Sequence, residues 1–440
     1  MRLYGRLPIS WIAGQRQKAQ LRDRLIPLSF AQMAPGTTTP AIRLLSSLRE
    51  IGRASWDNCA NPGWGYDHGQ PGDGPPAGRR PYNPFVSWDF LEALERSGSA
   101  SARTGWAPHH AVLVENGGAD GSPPTAVMPC YVKSHSQGEY VFDWGWADAF
   151  ERAGGHYYPK LQVSVPFTPV TGPRILTRPG AGEADRKRMM AAGLVEMTRR
   201  LSVSSAHLTF LTEDDAELLG EMGFLRRTDQ QFHWTDEGYR DFEGFLTALA
   251  SRKRKGIRKE RASAHAHGLE IAWLTGSDLT EAAWDSFFSF YMETGSRKWG
   301  RPYLNRRFFS LLGERMPERV LLVMAKRDGR FVAGALNLIG SDTLYGRYWG
   351  AIEDHPCLHF EVCYYQAIEF ALVHRLRRVE AGAQGAHKLA RGYLPTTTHS
   401  AHYIPDPNFR RAVANYLQHE RREVAAQGEV LAEHTPFRHE

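Results

Sequence analysis

The chain has 440 residues, of which 42% are hydrophobic and 23% charged, the composition of a globular protein with room for two cores of ordinary size. No window reaches the roughly 18 uninterrupted apolar residues that a membrane helix needs, and the N-terminus lacks the basic, apolar and small-residue order of a secretory signal. Membrane insertion and secretion are therefore not expected, and a cytoplasmic protein is. A net charge of +6 and a pI near 9.1 suit an anionic ligand such as a nucleotide cofactor, a nucleotide-linked substrate or RNA. The cysteines, Cys59, Cys130, Cys357 and Cys363, form no CxxC pair and no zinc-type spacing with histidine, so free thiols and no metal site are expected.

Residues 1–40 are Arg-rich, poor in acids and end in Ala34-Pro-Gly-Thr-Thr-Thr-Pro40, which predicts a disordered extension. An organelle presequence has similar composition, and both readings stay open. From Ala41 the pattern is ordered. Ile42–Leu48 reads as a strand or short helix, residues 61–84 as a long Pro/Gly-rich loop, and Ser87–Glu95 as a helix capped by Ser87. Strands follow at 110–114, 125–132 and 140–144, and three prolines stiffen the loop 165–173 into a pocket wall. A helix over 183–201, a strand at 207–211, a helix over 214–222 and a strand at 230–234 close the first half. The second half opens with a helix over 241–250 and the basic run Arg252-Lys-Arg-Lys-Gly-Ile-Arg-Lys-Glu-Arg261, denser in cations than a mixed solvated face requires. A strand at 269–274 precedes a helix over 279–295 that carries Trp284, Phe287, Phe288 and Tyr291 at helical spacing. After a helix over 305–315, Asp328-Gly329 between apolar runs 320–325 and 331–339 predicts a hairpin.

The stretch after that hairpin carries most of the chemistry. A strand ending in Trp349-Gly350 leads through Pro356 to a helix over about 357–375, with His359 and Glu361 in its first turn beside free backbone N–H groups. A strand ending at Glu380 then gives way to the loop Gly382-Ala-Gln-Gly-Ala-His-Lys388. Glycines there permit close backbone approach by a pyrophosphate or thioester carbonyl, although neither a Walker loop nor a GxGxxG fingerprint is present. Glu361, His359 and Glu380 are the candidate proton-handling groups. Trp349, Gly350, Gly382, Gln384, Gly385 and Lys388 are the candidate binding residues, and Arg252, Lys253, Arg254 and Lys255 the contacts to an anionic partner. Trp144-Gly145 aligns with Trp349-Gly350, and His156-Tyr-Tyr158 echoes Cys363-Tyr-Tyr365, which predicts a tandem duplication.

The order of helix, hairpin, strand, helix and strand is α+β. Together, the paired Trp-Gly units, the His359-Phe-Glu361 helix start, the Gly382–Lys388 loop and the basic run resemble a bacterial group of N-acyltransferases. That group is related to Fem-type peptidoglycan aminoacyltransferases and built from GNAT-like domains. The resemblance spans about 41–425. It implies tandem GNAT-like (FemAB-like) domains with mixed, mostly antiparallel sheets flanked by helices. These would occupy 41–235 and 236–425, with a flexible tail over 426–440. It also implies metal-free transfer of an acyl or aminoacyl group to an amine-bearing acceptor, with acyl-CoA or aminoacyl-tRNA as co-substrate and no tightly bound cofactor. The family loop commonly carries an acid where this chain has Ala386. The segment Trp349–Pro356 matches poorly the pyrophosphate loop of acetyl-CoA users, whereas the basic run suits tRNA or a nucleotide-linked precursor. A non-catalytic RNA- or precursor-binding protein on the same scaffold is the rival reading.

Overall fold

Two long strands, one from the end of each half of the chain, lie side by side at the centre of the protein and tie the halves into one sheet. The computed structural model describes residues 25–27, 40–64, 80–114, 123–266, 268–299, 302–383 and 385–438. The expected N-terminal extension, apart from Leu25–Pro27, most of the Pro/Gly-rich loop and Gln384 lie outside these residues.

In the first half the elements are β1 (Leu25–Pro27), β2 (Ala41–Leu45), α1 (Arg53–Ala60), α2 (Trp88–Ser97), β3 (Trp106–Pro108), β4 (His110–Val114), β5 (Ala126–Met128) and β6 (Cys130–Lys133). They continue with α3 (Trp144–Arg152), β7 (Lys160–Val163), β8 (Leu176–Thr177), α4 (Glu183–Arg200), β9 (Ala206–Leu211), α5 (Glu213–Glu221) and β10 (Leu225–Thr235). The second half holds α6 (Phe242–Ala248), α7 (Ser251–Ala264), β11 (Leu269–Leu274), α8 (Glu281–Trp299), α9 (Arg306–Arg315), β12 (Val320–Arg327), β13 (Arg330–Ile339) and β14 (Thr343–Ala351). Next comes α10, a continuous helix made of Leu358–Phe360, a π turn at Glu361–Tyr365 and Gln366–Val373, then β15 (Arg378–Glu380), a 3-10 turn at Ala386–Arg391, β16 (Leu394–Tyr403) and α11 (Pro407–Glu433).

Local chemistry explains the boundaries. Ser87 caps α2 by accepting from the Phe90 N–H, and Asn305 caps α9 by accepting from the Phe308 N–H. Asp328 and Gly329 both adopt positive φ, 50° and 78°, the geometry that lets β12 and β13 turn without splaying. Trp284 and Phe287 of α8 are buried against Phe309 of α9. Together with Phe85, Phe90, Phe308 and Tyr345 they form an apolar cluster shared by both halves.

A small sheet has the order β1-β2-β4-β5-β8, and an 11-stranded sheet runs β11-β12-β13-β14-β15-β10-β16-β9-β7-β6-β3. Its pairs are antiparallel except β7 with β9 and β14 with β15. Each parallel pair is joined by a crossover helix, α4 or α10, which is what parallel strands require. The duplication is therefore present: β7, α4, β9, α5 and β10 correspond to β14, α10, β15, the 3-10 turn and β16. The closing strands are exchanged, since β10 lies beside β15 and β16 beside β9.

The register of this repeat differs from the expected one. The strand expected over 140–144 does not form, and Trp144, 52% exposed, opens α3, whereas Trp349 and Gly350 lie within β14. The cause is a buried ion cluster. Lys160 Nζ donates to Glu139 Oε2 at 2.7 Å and to Asp143, while Tyr140 takes a φ of 60°, so 139–143 is pulled inward instead of pairing. The segment 426–438, expected as a tail, is helical to Glu433 and returns to pair Phe437 with Leu249. Among the described residues no helix is long and apolar enough to cross a membrane.

Candidate active site

β14 and β15 run parallel through three register pairs, the last being Tyr345 with Glu380. β15 stops there, while β14 continues to Ala351. On its other edge β15 pairs with β10 only over His233–Thr235. Beyond Glu380 the sheet thus opens into a notch, with β14 along one wall and the earlier part of β10 along the other. The Gly-rich loop leaves from its apex. Gly382 and Gly385 take φ of 78° and 123°, conformations that side-chain-bearing residues rarely adopt, so glycine is required at both.

Four polar side chains gather at the apex. Arg347 Nη2 donates to Glu380 Oε2 at 3.2 Å, and both side chains are almost wholly buried. Burial lowers the Arg347 pKa, and Glu380 opposes that shift. Lys388 is buried on the 3-10 turn and donates to the Gly382 carbonyl at 3.0 Å. Burial and then the Arg347 charge push its pKa down to about 8. His233 is the cross-strand neighbour of Glu380. Asp236 N–H bonds to the Arg377 carbonyl, so His233 and Glu380 form a non-hydrogen-bonded pair, the kind whose side chains stand closest on a shared face. His233 Nε2 lies 3.2 Å from Gln231 Oε1, and Nδ1 has no partner among the described residues. Burial lowers its pKa, which keeps the ring neutral near pH 7.

A second group lies over the start of α10. His359 packs its ring 5.3 Å from Trp349 and 5.4 Å from Tyr364, and Tyr364 OH shares a 2.9 Å hydrogen bond with His387 Nε2. Trp349 and His359 therefore meet, joined by Phe360, Tyr364 and His387, which sequence reasoning did not select. Gly350 points the other way. A Cβ there would lie 2.1 Å from the Phe290 carbonyl oxygen, so its glycine serves the contact between β14 and α8.

Glu361 does not join the apex. It is 0% exposed, and its carboxylate accepts from Arg261 Nη2 at 2.9 Å, Arg261 Nε at 3.1 Å and Gln366 Nε2 at 2.7 Å, with His265 Nε2 at 3.2 Å. The last arginine of the basic run is thus bound to the π turn of α10 rather than facing a partner. The same helix is fixed a second time, where Glu260 accepts from Arg391 of the 3-10 turn at 2.7 Å. Along α7, Arg252, Lys253 and Lys255 are exposed, whereas Arg254 is half-buried and donates to the Thr247 carbonyl. Arg252, Lys255 and exposed Lys259 fall at i, i+3 and i+7 and form one outward basic stripe.

His233 is the main residue that sequence reasoning missed at the apex. The alternation of Gln231 and His233 with Phe232 and Trp234 was its signal, because all four are buried and one face of the strand is therefore both polar and enclosed.

The family model FemAB-like, described as peptidoglycan biosynthesis/recognition, matches residues 47–439. No curated protein matches the sequence. Among solved structures, FemX is 11% identical, with 72% of this chain and 92% of that chain covered and a TM-score of 0.45. L-PGS from Bacillus licheniformis is 9% identical, covering 77% and 98%, with a TM-score of 0.47. A tandem GNAT protein from the clavulanic acid biosynthesis pathway is 13% identical, covering 84% and 99%, with a TM-score of 0.44. Both strand-helix-strand units lie within the matched residues, and the chain belongs to the FemAB-like family.

Proposed function

We propose that this protein is an N-acyltransferase that moves an acyl or aminoacyl group from acyl-CoA or aminoacyl-tRNA to an amine, in the making of cell-wall precursors. The observation that carries this reading is a neutral, buried His233 with an unpartnered Nδ1, set beside Glu380, Arg347 and Lys388 at the apex of an open sheet notch. In that arrangement the acceptor nitrogen attacks the donor carbonyl carbon, and His233 Nδ1 takes the proton that the nitrogen loses. The C–S or C–O bond to the leaving group then breaks, and the proton passes from His233 to the departing sulfur or oxygen. Glu380 and Arg347 hold the apex in register. Lys388 and the backbone of Gly382 and Gly385 stabilise the oxyanion of the tetrahedral intermediate. Trp349 and His359 wall the donor side. Glu361 acts at a distance, as a positioning residue that locks α7 onto α10, so that an anionic donor seated on Arg252, Lys255 and Lys259 is held in fixed relation to the notch.

The test is label transfer from acetyl-CoA, from longer acyl-CoAs and from charged tRNA to amine-bearing cell-wall precursors. The expected result is an N-acylated product with one donor class, and loss of about 10²-fold or more in kcat for His233→Gln, with donor KM little changed. No product with any donor, or full turnover by His233→Gln, overturns the reading.

A further inference from the structure

A neutral imidazole carries its one hydrogen on either nitrogen, and only the bare nitrogen can take up a proton. The surroundings of His233 decide between the two. Gln231 stands two residues earlier on β10, on the same face of the strand. It lines a cleft of about 250 Å³ beside β10, together with Gly385 of the glycine loop. The Gln231 side chain is buried and meets two groups: Nε2 donates to the Pro169 carbonyl at 2.9 Å, and Oε1 lies 3.2 Å from His233 Nε2.

These contacts leave one arrangement of hydrogens. A backbone carbonyl only accepts, so the end of the Gln231 amide that faces Pro169 is the NH2 group and the end that faces His233 is the oxygen. An amide oxygen also only accepts, so His233 Nε2 carries the hydrogen. Nδ1 is then the bare nitrogen, and it has no partner among the described residues. The reverse tautomer would set the Nε2 lone pair against the Gln231 oxygen. Turning the amide over would instead set that oxygen against the Pro169 carbonyl, and either change buries two acceptors in contact.

The Pro169 carbonyl is itself held in place from both sides. Before it in the loop 165–173, Phe167 takes a φ of 61°, a left-handed conformation that a bulky residue keeps only where its surroundings impose it. They do so here: the Phe167 N–H donates to the Gly138 carbonyl at 3.1 Å, Tyr348 OH of β14 donates to the Phe167 carbonyl at 2.6 Å, and the Phe167 ring stacks on Tyr303 with centroids 5.0 Å apart. After it, buried Arg174 donates to the Val170 and Gly172 carbonyls.

We propose that Gln231, aimed by the Pro169 carbonyl, is the positioning residue that holds His233 in its Nε2–H tautomer and leaves Nδ1 bare to accept the proton of the amine. The use of that bare nitrogen in transfer rests on the transferase reading, whereas its identity as Nδ1 does not. A loop of the first half thereby acts on the reacting nitrogen through one side chain.

The full chain labelled with nitrogen-15 in its histidine rings tests this by magnetic resonance at pH 7, with the His233 signals identified by their loss in His233→Gln. The expected wild-type result is the shift of a bare nitrogen for Nδ1 and of a protonated one for Nε2, with the Nε2 hydrogen slow to exchange with solvent. Gln231→Leu should move both ring nitrogens toward the averaged shifts of mixed tautomers and lower kcat at least about tenfold, with donor KM little changed. Gln231→Glu presents an oxygen to Nε2 in either protonation state and should restore the tautomer and most of the turnover. A hydrogen on Nδ1 in the wild-type chain overturns the proposal without recourse to any variant. Unchanged ring signals in Gln231→Leu overturn it whatever the turnover, since a loss of rate alone would mark a packing role. If the ring signals behave as expected while His233→Gln keeps full turnover, the tautomer assignment stands and the transferase reading falls.

Discussion

Glu361 can be removed from the chemistry or placed in it by one set of substitutions. Its carboxylate is 0% exposed and receives two arginine nitrogens within 3.1 Å and the Gln366 amide at 2.7 Å. Arg261→Ala leaves that anion buried with only Gln366 and His265 as donors. Breaking a buried pair by removing one partner costs about 3–5 kcal/mol, and the surviving donors place this case near about 3 kcal/mol. Glu361→Gln is milder. The amide keeps the shape, and Arg261, 22% exposed at its side chain, retains Glu369 at 2.7 Å, so the loss should be about 1 kcal/mol. The double variant removes the orphaned anion and should be more stable than Arg261→Ala alone, with a coupling of at least about 1.5 kcal/mol. Urea midpoints followed by near-ultraviolet circular dichroism, alongside turnover, give the comparison. A double variant no more stable than Arg261→Ala refutes the buried-anion argument. Abolished turnover in Glu361→Gln with an unchanged midpoint would place Glu361 in the reaction itself.

Burial pushes the pKa of His135 down to about 4 and that of His207 down to about 3. Both are neutral in the folded chain at a pH where the unfolded chain takes up protons, so the stability present above about 6.5 is lost as pH falls toward 4. Each contributes a slope of about 1.4 kcal/mol per pH unit; midpoints measured between pH 6 and 5 should show a shallower slope in His207→Gln, and an unchanged slope would contradict this. Lys388→Met should leave stability at pH 7 unchanged or raised, because the buried ammonium is costly, while turnover falls at least about tenfold; a large loss of stability would show that the charge holds the loop together. Gly350→Ala should destabilise by about 3 kcal/mol or more, since its Cβ would meet the Phe290 carbonyl at 2.1 Å. A wild-type melting temperature would show that β14 and α8 separate easily.

Features set by neighbours in sequence were legible, and those set by distant partners were not. The Asp328-Gly329 hairpin and the Ser87 cap follow from local rules and occur as expected. Glu380 could be placed at a strand end because the glycines Gly382 and Gly385 follow it closely. Its partners could not, since His233 and Arg347 reach it only through strand pairing across the chain. Glu361 looked like a helix-start acid because the sequence does not reveal that Arg261, 100 residues away, fills its carboxylate. The first Trp-Gly pair misled for the same reason. Its apolar, alternating surroundings read as a strand, but the ion pairs from Lys160 to Glu139 and Asp143 outweigh that preference. The duplication was thus visible in kind, while its register needed the parallel pairs that only the assembled sheet displays.

The exchange of closing strands gives the duplication a consequence for the site. Were each half closed by its own last strand, β16 would lie beside β15, and the notch would be lined by the second half alone. Instead β10 crosses to β15 and brings His233 from the first half. β16 crosses to β9 in return. Neither half then owns a complete apex: Glu380, Arg347 and Lys388 come from the second half, and His233 from the first. In the polar interior of the first half, Lys160 fixes the segment that carries Tyr140 and Phe142. Tyr140 and Phe142 line the cleft beside β10 together with Gly385 of the glycine loop.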